Sequence, residues 1–414
     1  MIPKIKIFES KFGNPEFSLC SILVLVGSIY EKEHEKGISH YIEHLLFQGS
    51  SYAQNMQTFT DSLNSKGMII NASTSQYLTR YYIESLTSDI EMAIENLVQM
   101  VFNPLFRDSD VKEEKQVVLN ELMERLNSPE QFSMEESLKL IYPNKNPLHF
   151  SPGGPIDIVK KIDKEEILNY YHKYYQPKNI IFVSITKKDK EITKKLWEKA
   201  FEKYSNYTNN VNNSIPSTME IYRSMQPELS LINPSENLNL HKMFPKNDTY
   251  FVTMIYLNKR PSNKNITALS IFQNYLAGSL SSILFIELRE KRQLIYSVHS
   301  TISLDLNNVD IEISFNCKKN KKVLDECFKV VNDVIKDCIK NGIPVEEFKK
   351  FKNKTIVNVE RMKSSRSYEL NEYISKLLFN IETDSKMIKK INNSFLHKSV
   401  DDFFNDCKKY SIIT

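Results

Sequence analysis

The chain has 414 residues, of which 41% are hydrophobic and 26% charged, and its formal net charge is +4 at pH 7. These values predict a soluble globular protein of two or three domains. They exclude a nucleic-acid-binding protein that depends on a dense basic block. They also exclude a membrane partner, because the longest apolar run, around residues 22–26, is far too short to cross a bilayer.

The cysteines indicate the compartment. The chain has five of them, and no two form a CxxC pair. An odd number at scattered spacings predicts reduced thiols rather than a disulfide framework. Since the first residues also carry no signal-peptide core, the sequence predicts a cytoplasmic protein. The five are Cys20, Cys317, Cys327, Cys338 and Cys407.

Residues 1–205 alternate between strand and helix patterns and predict a first domain. Short apolar runs indicate the strands, and apolar residues at helical spacing indicate the helices. We expect strands at 21–26, 81–86 and 179–185, and helices near 38–47, 56–66, 87–101, 109–127 and 163–174.

The first predicted helix carries the segment HYIEH, residues 40–44. At about 100° per residue, His40, Glu43 and His44 share one arc of this helix, opposite an apolar arc. Two histidines one turn apart can bind a single ion, and Glu43 can reach a water on that ion. This is the HxxEH zinc pattern, the inverse of HExxH. The alternative is a chance match in which the histidines are ordinary core or surface residues.

The helix predicted at 109–127 carries two further candidates. Glu114, Val118 and Glu121 are spaced at i, i+4 and i+7 and share one stripe. Carboxylates beside a buried stripe are unfavourable unless something pairs with them, and a cation would do so. We therefore predict that Glu121 is a third zinc ligand and that Glu114 orients a ligand histidine by a hydrogen bond. The alternative is that both lie on a solvated face.

Residues 206–236, rich in Asn, Ser and Pro, predict a linker, and residues 237–414 predict a second domain that repeats the first in outline. Its strand at 249–256 parallels the strand at 21–26. Ser281 and Ser282 stand where the histidine and glutamate of the motif would be. The second domain is therefore expected to hold no metal.

Arg289 and Tyr296 are the candidate functional residues of the second domain. A cation and a phenol at this spacing could polarise a substrate carbonyl and stabilise a tetrahedral oxyanion. The alternative is an ordinary arginine at a helix end and an ordinary tyrosine opening a strand.

Taken together, these motifs resemble the insulinase (pitrilysin, or inverzincin) family of zinc metallopeptidases. The resemblance is carried by HYIEH with LLF after it, by Glu114 and Glu121, and by LREKRQLIYS at 288–297. The chain looks most like the short bacterial branch, which is similar to mitochondrial processing peptidase subunits. It departs from the family where Gln48-Gly49-Ser50 replaces the usual Lys-Gly-Thr and Gln293 replaces the usual glycine before Leu294.

The resemblance implies an α+β fold of two similar domains, each a mostly antiparallel sheet with helices on one face, together forming half of a clamshell. It implies one Zn²⁺ per chain. In the implied site, His40, His44 and Glu121 are the zinc ligands and Glu43 is the general base. Arg289 and Tyr296 act together on the substrate carbonyl. Asn71, Ala72 and Ser73 belong to an edge strand that binds the substrate.

The function implied is zinc-dependent endopeptidase activity on peptides or small unfolded proteins inside a dimeric chamber, either for leader-peptide removal or for peptide turnover. The dimer is a homodimer or a heterodimer with a related chain. A non-catalytic structural or partner subunit of a related peptidase complex is the alternative from a different class. A zinc hydrolase of an unrelated type would leave Arg289 and Tyr296 without a role.

Overall fold

The computed structural model describes residues 2–11, 14–205, 217–229, 231–233, 238–241, 244, 248–381 and 385–414. The chain divides into two units, and each unit is built from several separate stretches of the sequence. The first unit consists of Met1–Leu126, Asn144–Leu229 and Ser364–Asn371, and the second consists of Asn127–Pro143, Ser230–Lys363 and Glu372–Thr414.

The predicted boundaries 1–205, 206–236 and 237–414 remain predictions. About half of the predicted linker lies outside the described residues, and its described part includes a helix at Thr218–Leu229.

The first unit contains a five-stranded sheet of order β1-β5-β2-β4-β3. Its strands are β1 (Lys4–Glu9), β2 (Phe17–Val24), β3 (Ile69–Thr74), β4 (Thr79–Leu86) and β5 (Ile180–Thr186). The helices up to residue 229 are α1 (Ile38–Leu46), α2 (Met56–Asn64), α3 (Ile90–Phe102), α4 (Asp108–Asn127), α5 (Pro129–Ile141, in the second unit), α6 (Ile156–Val159), α7 (Lys164–Tyr174), α8 (Lys190–Tyr204) and α9 (Thr218–Leu229).

The second unit contains a five-stranded sheet of order β6-β10-β7-β9-β8. Its strands are β6 (Leu238–His241), β7 (Thr249–Lys259), β8 (Ile295–Leu304), β9 (Asn308–Lys318) and β10 (Lys408–Ile413). The helices after residue 229 are α10 (Asn263–Ala277), a π-helical segment (Phe285–Glu290), α11 (Lys321–Asn341), α12 (Val345–Met362), α13 (Arg366–Phe379), α14 (Ser385–Lys389) and α15 (Asn393–Asn405).

The two sheets have the same topology. One pair in each, β1 with β5 and β6 with β10, is parallel, and the other pairs are antiparallel. This arrangement confirms the predicted α+β fold with two similar, mostly antiparallel sheets. The burial of the strands explains why their sequences differ. All of β5 is buried, and its sequence, IIFVSIT, is mostly apolar, whereas β4 alternates buried positions with half-buried or exposed ones. None of the helices in the described part of the chain is long and apolar enough to cross a membrane.

The start of α1 is fixed by a close approach of two backbone segments. Gly37 has φ of 95°, and a Cβ there would lie 2.5 Å from the carbonyl oxygen of Gly153. Gly154 has φ of 72°, and its Cβ would lie 2.5 Å from the carbonyl oxygen of Lys36. Only glycine combines this left-handed backbone with so little room. The contact therefore places the first turn of α1 against residues 153–154.

The buried carboxylate of Glu31 caps the same end of α1. Glu31 accepts hydrogen bonds from the backbone N–H groups of Gly37 at 2.8 Å and Ser39 at 2.9 Å. It thereby satisfies donors that the first turn of a helix leaves unpaired. Burial raises the pKa of Glu31 to about 7.

Gly37→Ala tests this constraint, and Gly67→Ala is its matched control. Both glycines have positive φ, but a Cβ at Gly67 would meet nothing within 4 Å. We expect roughly 2–4 kcal/mol of destabilisation at Gly37 and about 1 kcal/mol at Gly67. Thermal unfolding followed by circular dichroism measures both. Equal losses would contradict the steric role of residues 153–154.

Candidate metal centre

Helix α1 presents its polar arc as its spacing predicts. The apolar arc is buried, with Ile38, Tyr41 and Ile42 fully inaccessible to solvent. His40 is 8% exposed, and Glu43 and His44 are half-buried. The helix therefore packs through one side and turns both histidines and Glu43 toward the other.

Helix α4 brings Glu121 to the two histidines. The Nε2 atoms of His40 and His44 are 3.3 Å apart. Glu121 Oε2 lies 3.8 Å from His40 Nε2 and 3.4 Å from His44 Nε2. Within the described ranges, this trio is the sole group of three or more His, Cys, Asp or Glu side chains close enough to share a metal ion.

Glu114 fixes the orientation of His44. It is buried, and its Oε1 lies 2.8 Å from His44 Nδ1 while its Oε2 accepts a hydrogen bond from Gln48 Nε2 at 2.6 Å. With Nδ1–H donating to the carboxylate, the Nε2 lone pair of His44 faces His40 and Glu121. Glu114 therefore does not lie on a solvated face.

Glu121 is held from its other side. Arg125, one turn further along α4, donates a hydrogen bond from Nη2 to Glu121 Oε1 at 2.6 Å. This contact leaves Oε2 directed at the imidazoles. His40 has no such support, because its Nδ1 is buried without a hydrogen-bond partner among the described residues.

The carboxylates of Glu114 and Glu121 favour a positive charge beside them, as the raised pKa of His44 shows. Burial, together with the neighbouring His44, lowers the pKa of His40 to about 4. Burial also disfavours charge on His44, but the carboxylates of Glu114 and Glu121 outweigh it and raise its pKa to about 9. The hydrogen bond from His44 lowers the pKa of Glu121 to about 2.

Two imidazole nitrogens and one carboxylate oxygen converging on one point form the donor set that suits Zn²⁺ in a three-ligand catalytic site. The residues present therefore fit the metal that the sequence pattern predicts.

Glu43 lies beside the trio without belonging to it. Its Oε2 accepts a hydrogen bond from Thr74 Oγ1 at 2.5 Å, and burial raises its pKa. It lines a cavity of about 310 Å³ together with His40, His44 and Glu121. The carboxylate is thus directed into the same space as the three candidate ligands.

The other wall of the cavity is β3, the edge strand of the first sheet. Of the three predicted substrate-binding residues, Ala72 and Ser73 line the cavity. Asn71 is not among its lining residues, and its side-chain oxygen accepts a hydrogen bond from Ala72 N at 2.8 Å. Ser73 Oγ accepts a hydrogen bond from Arg80 Nε at 2.7 Å, which ties the edge strand to its neighbour.

Sequence reasoning missed three contributors to the site: Thr74 as the partner of Glu43, Gln48 as the partner of Glu114, and Arg125. The i+4 spacing of Arg125 from Glu121 is a signal that could have identified this pair. The contacts of Thr74 and Gln48 depend on tertiary packing and leave no such signal.

The structure also brings Arg289 and Tyr296 together in the second unit. The Cζ atom of Arg289 lies 4.7 Å from the ring centroid of Tyr296 and 4.9 Å from that of Phe285. A cation over an aromatic face is attracted by the ring quadrupole. Tyr296 is 77% exposed. The pair therefore presents a phenol and a guanidinium side by side at the surface of this unit.

The backbone between the two residues is unusual. Arg289 lies in the π-helical segment, and Gln293 has φ of 55°. The N–H of Gln293 donates to the carbonyl of Arg289 at 2.9 Å, which closes the turn. Positive φ is the conformation that glycine adopts most readily, so a glutamine here carries backbone strain.

Comparisons with known proteins identify relatives of both halves of the chain. Residues 10–151 match the family model described as Insulinase (Peptidase family M16), and residues 161–355 match the Peptidase M16 inactive domain. An uncharacterized zinc protease of Bacillus subtilis, YmxG, is 25% identical over 401 residues, covering 95% of this chain and 88% of its own. Cytochrome b-c1 complex subunit 1 of Bos taurus is 28% identical over 167 residues, covering 40% of this chain and 34% of its own.

Solved structures share the fold. A protease from Helicobacter pylori superimposes with a TM-score of 0.82 at 21% identity, covering 98% of each chain. A peptidase M16 inactive domain from Pseudomonas fluorescens gives a TM-score of 0.78 at 15% identity, covering 100% of this chain and 95% of its own.

His44→Ala tests the metal centre. We expect the purified wild-type protein to contain about one zinc per chain and the variant to contain almost none, because an open three-ligand site that loses one imidazole retains too few donors. Metal analysis by plasma mass spectrometry measures both. His34→Ala, at a side chain that is 62% exposed, is the control and should retain zinc. Full zinc occupancy in His44→Ala would contradict the assignment.

Proposed function

The chain belongs to the insulinase family of peptidases, family M16, and we propose that it is a zinc-dependent endopeptidase of peptides or small unfolded proteins. The observation that carries this proposal is the convergence of His40, His44 and Glu121 beside the carboxylate of Glu43. All four groups that zinc-assisted peptide hydrolysis requires are present in one cavity. The name of the Bacillus subtilis relative, a zinc protease, supports the same activity.

His40, His44 and Glu121 would hold one Zn²⁺ per chain, and Glu114 would keep His44 in the tautomer that binds it. When bound, zinc supplies Lewis acidity toward a water molecule and the scissile carbonyl. Glu43 would act as the general base, taking a proton from the attacking water and passing it to the leaving amine. The burial that raises the pKa of Glu43 makes its carboxylate a stronger base, which suits this task near neutral pH.

The edge strand β3 offers a place for an extended substrate. Its residues Ala72 to Thr74 line the cavity, and in the described sheet it pairs on one side only, with β4. A peptide added beside it would receive main-chain hydrogen bonds and pass Glu43. Asn71, Ala72 and Ser73 are the residues that we assign to this contact. Such binding depends on the backbone and gives modest side-chain specificity.

Arg289 and Tyr296 complete the proposed mechanism. As a cation and a phenol donor, they would stabilise the negative charge that develops on the substrate carbonyl oxygen. Their stacking in the second unit supports a joint role. Like other chambered peptidases of its family, the protein would act as a dimer, either a homodimer or a heterodimer with a related chain, in the cytoplasm. Leader-peptide removal and general peptide turnover are both compatible with this site.

The alternative function is that of a non-catalytic subunit in a larger assembly. It is favoured by one observation, the similarity to a bovine protein that is by name a subunit of the cytochrome b-c1 complex. It is opposed by the presence of all three candidate ligands and of Glu43 in one cavity. A subunit without catalytic function would not require the hydrogen bonds that orient these groups.

Glu43→Gln separates catalysis from metal binding. The amide preserves the shape of the side chain but cannot accept a proton from water. We therefore expect peptide cleavage to fall by at least about 10²-fold while zinc content stays at the wild-type level. Turnover of internally quenched peptides and metal analysis measure the two effects. Glu113→Gln, on the exposed face of α4, should change neither. Near wild-type turnover in Glu43→Gln would refute the assignment of the base.

Tyr296→Phe removes one donor to the developing oxyanion and keeps the aromatic ring that contacts Arg289. We expect kcat to fall roughly 10²-fold with little change in KM, because the lost hydrogen bond is made mainly in the transition state. Steady-state kinetics on a single quenched peptide measure both constants. Tyr52→Phe, at another exposed tyrosine, is the control. An unchanged kcat would remove Tyr296 from the mechanism.

A further inference from the structure

The second unit contains a groove of about 860 Å³ between α11 and β10 that the proposed peptidase function does not use. Met254 and Ile413 contribute buried apolar surface to it, and Leu324 and Phe328 line it from α11. A concave surface of this size, with an apolar base and a polar rim, has the shape of a site that buries a second element.

In the first unit, helix α8 lies at the position that corresponds to this groove. Because the two sheets have the same strand order and directions, β5 corresponds to β10 and α3 to α11. In the first unit, α8 packs against both α3 and β1 there. Trp197 of α8 stacks on Phe182 of β5, with ring centroids 4.4 Å apart, and donates a hydrogen bond to Ser184 Oγ at 2.9 Å. No helix in the described part of the second unit fills the equivalent space.

A buried polar group in the groove also lacks a partner. Tyr256 is 1% exposed and lines the groove, and its hydroxyl has no hydrogen-bond partner among the described residues. A buried hydroxyl without a hydrogen-bond partner is unfavourable. In the first unit, Ser184 of β5, the neighbour of the strand that corresponds to β7, receives a hydrogen bond from the helix that covers it. An element seated in the groove could pair with Tyr256 in the same way.

The charges indicate the kind of helix that would fit. In the first unit, Glu91 and Glu95 of α3 pair with lysines of α8 at 2.8 and 3.6 Å. The groove of the second unit has the opposite sign: one carboxylate, Asp325, lines it together with three lysines. Opposite charges across an interface select the partner and like charges exclude it. The three lysines are Lys321, Lys336 and Lys409.

We propose that this groove is a docking site for an amphipathic helix with an acidic polar face, supplied by a partner chain. The helix takes the position that α8 occupies in the first unit. Its apolar face covers the groove floor, and its carboxylates pair with Lys336 and Lys409. This binding is independent of the peptidase site.

The probe is a fluorescent peptide with the sequence of residues 190–204, in which the apolar face of α8 is kept and the five lysines are replaced by glutamate. The unaltered sequence is the matched basic control. Fluorescence anisotropy with the full-length protein measures binding, and hydrogen exchange locates it. We expect the acidic peptide to bind at least about tenfold more tightly than the basic one and to protect residues 321–336 from exchange.

A Lys336→Glu/Lys409→Glu double variant should weaken binding of the acidic peptide by about tenfold or more. Lys349→Glu/Lys350→Glu, at exposed lysines of α12, is the control and should leave it unchanged. Thermal unfolding verifies that both variants are folded. Failure of the acidic peptide to bind, equal binding of the basic peptide, or equal binding to the first double variant would each overturn the proposal. So would a dimer of the wild-type chain that the first double variant dissociates, because a second copy would then occupy the groove.

Discussion

A buried contact between two helices, from the carboxylate of Glu114 on α4 to the imidazole of His44 on α1, is the interaction on which the candidate metal centre depends. A buried carboxylate is strongly unfavourable without partners, and here His44 and Gln48 provide them. The same contact directs His44 Nε2 toward His40 and Glu121. The contact between Glu114 and His44 thus offsets the cost of burying a charge and also orients a candidate zinc ligand. Stability and metal binding are therefore coupled at this contact.

The spacing of HYIEH and of Glu114 and Glu121 could be interpreted from sequence because helical geometry converts i, i+4 and i+7 directly into a shared face. The sequence also contained the duplication, since both halves repeat strand and helix patterns in the same order. The partner of Glu43 could not be found in this way. Thr74 reaches it through the position of β3 beside α1, which is a property of tertiary packing. Nor does the local sequence indicate that residues 127–143 belong to the second unit.

The two units show how one topology supports two kinds of surface. In the first, α1 carries the histidines and α8 packs against α3 and β1; in the second, the described residues leave a groove beside α11. The charges at this position differ as well, because α3 presents carboxylates to α8 whereas most of the charged residues that line the groove beside α11 are lysines. The two units therefore share a fold, and they differ in the side chains that this fold carries.

The central claim is that His40, His44 and Glu121 bind zinc while Glu43 does not, and a crystal structure of the zinc-loaded protein tests it most directly. Anomalous scattering measured on both sides of the zinc absorption edge locates the ion without assumptions about its ligands. We predict one peak per chain, at about 2.0–2.2 Å from two imidazole nitrogens and one oxygen of Glu121, with the carboxylate of Glu43 outside this distance. A zinc peak elsewhere in the chain, or one coordinated by Glu43 in place of Glu121, would contradict the account.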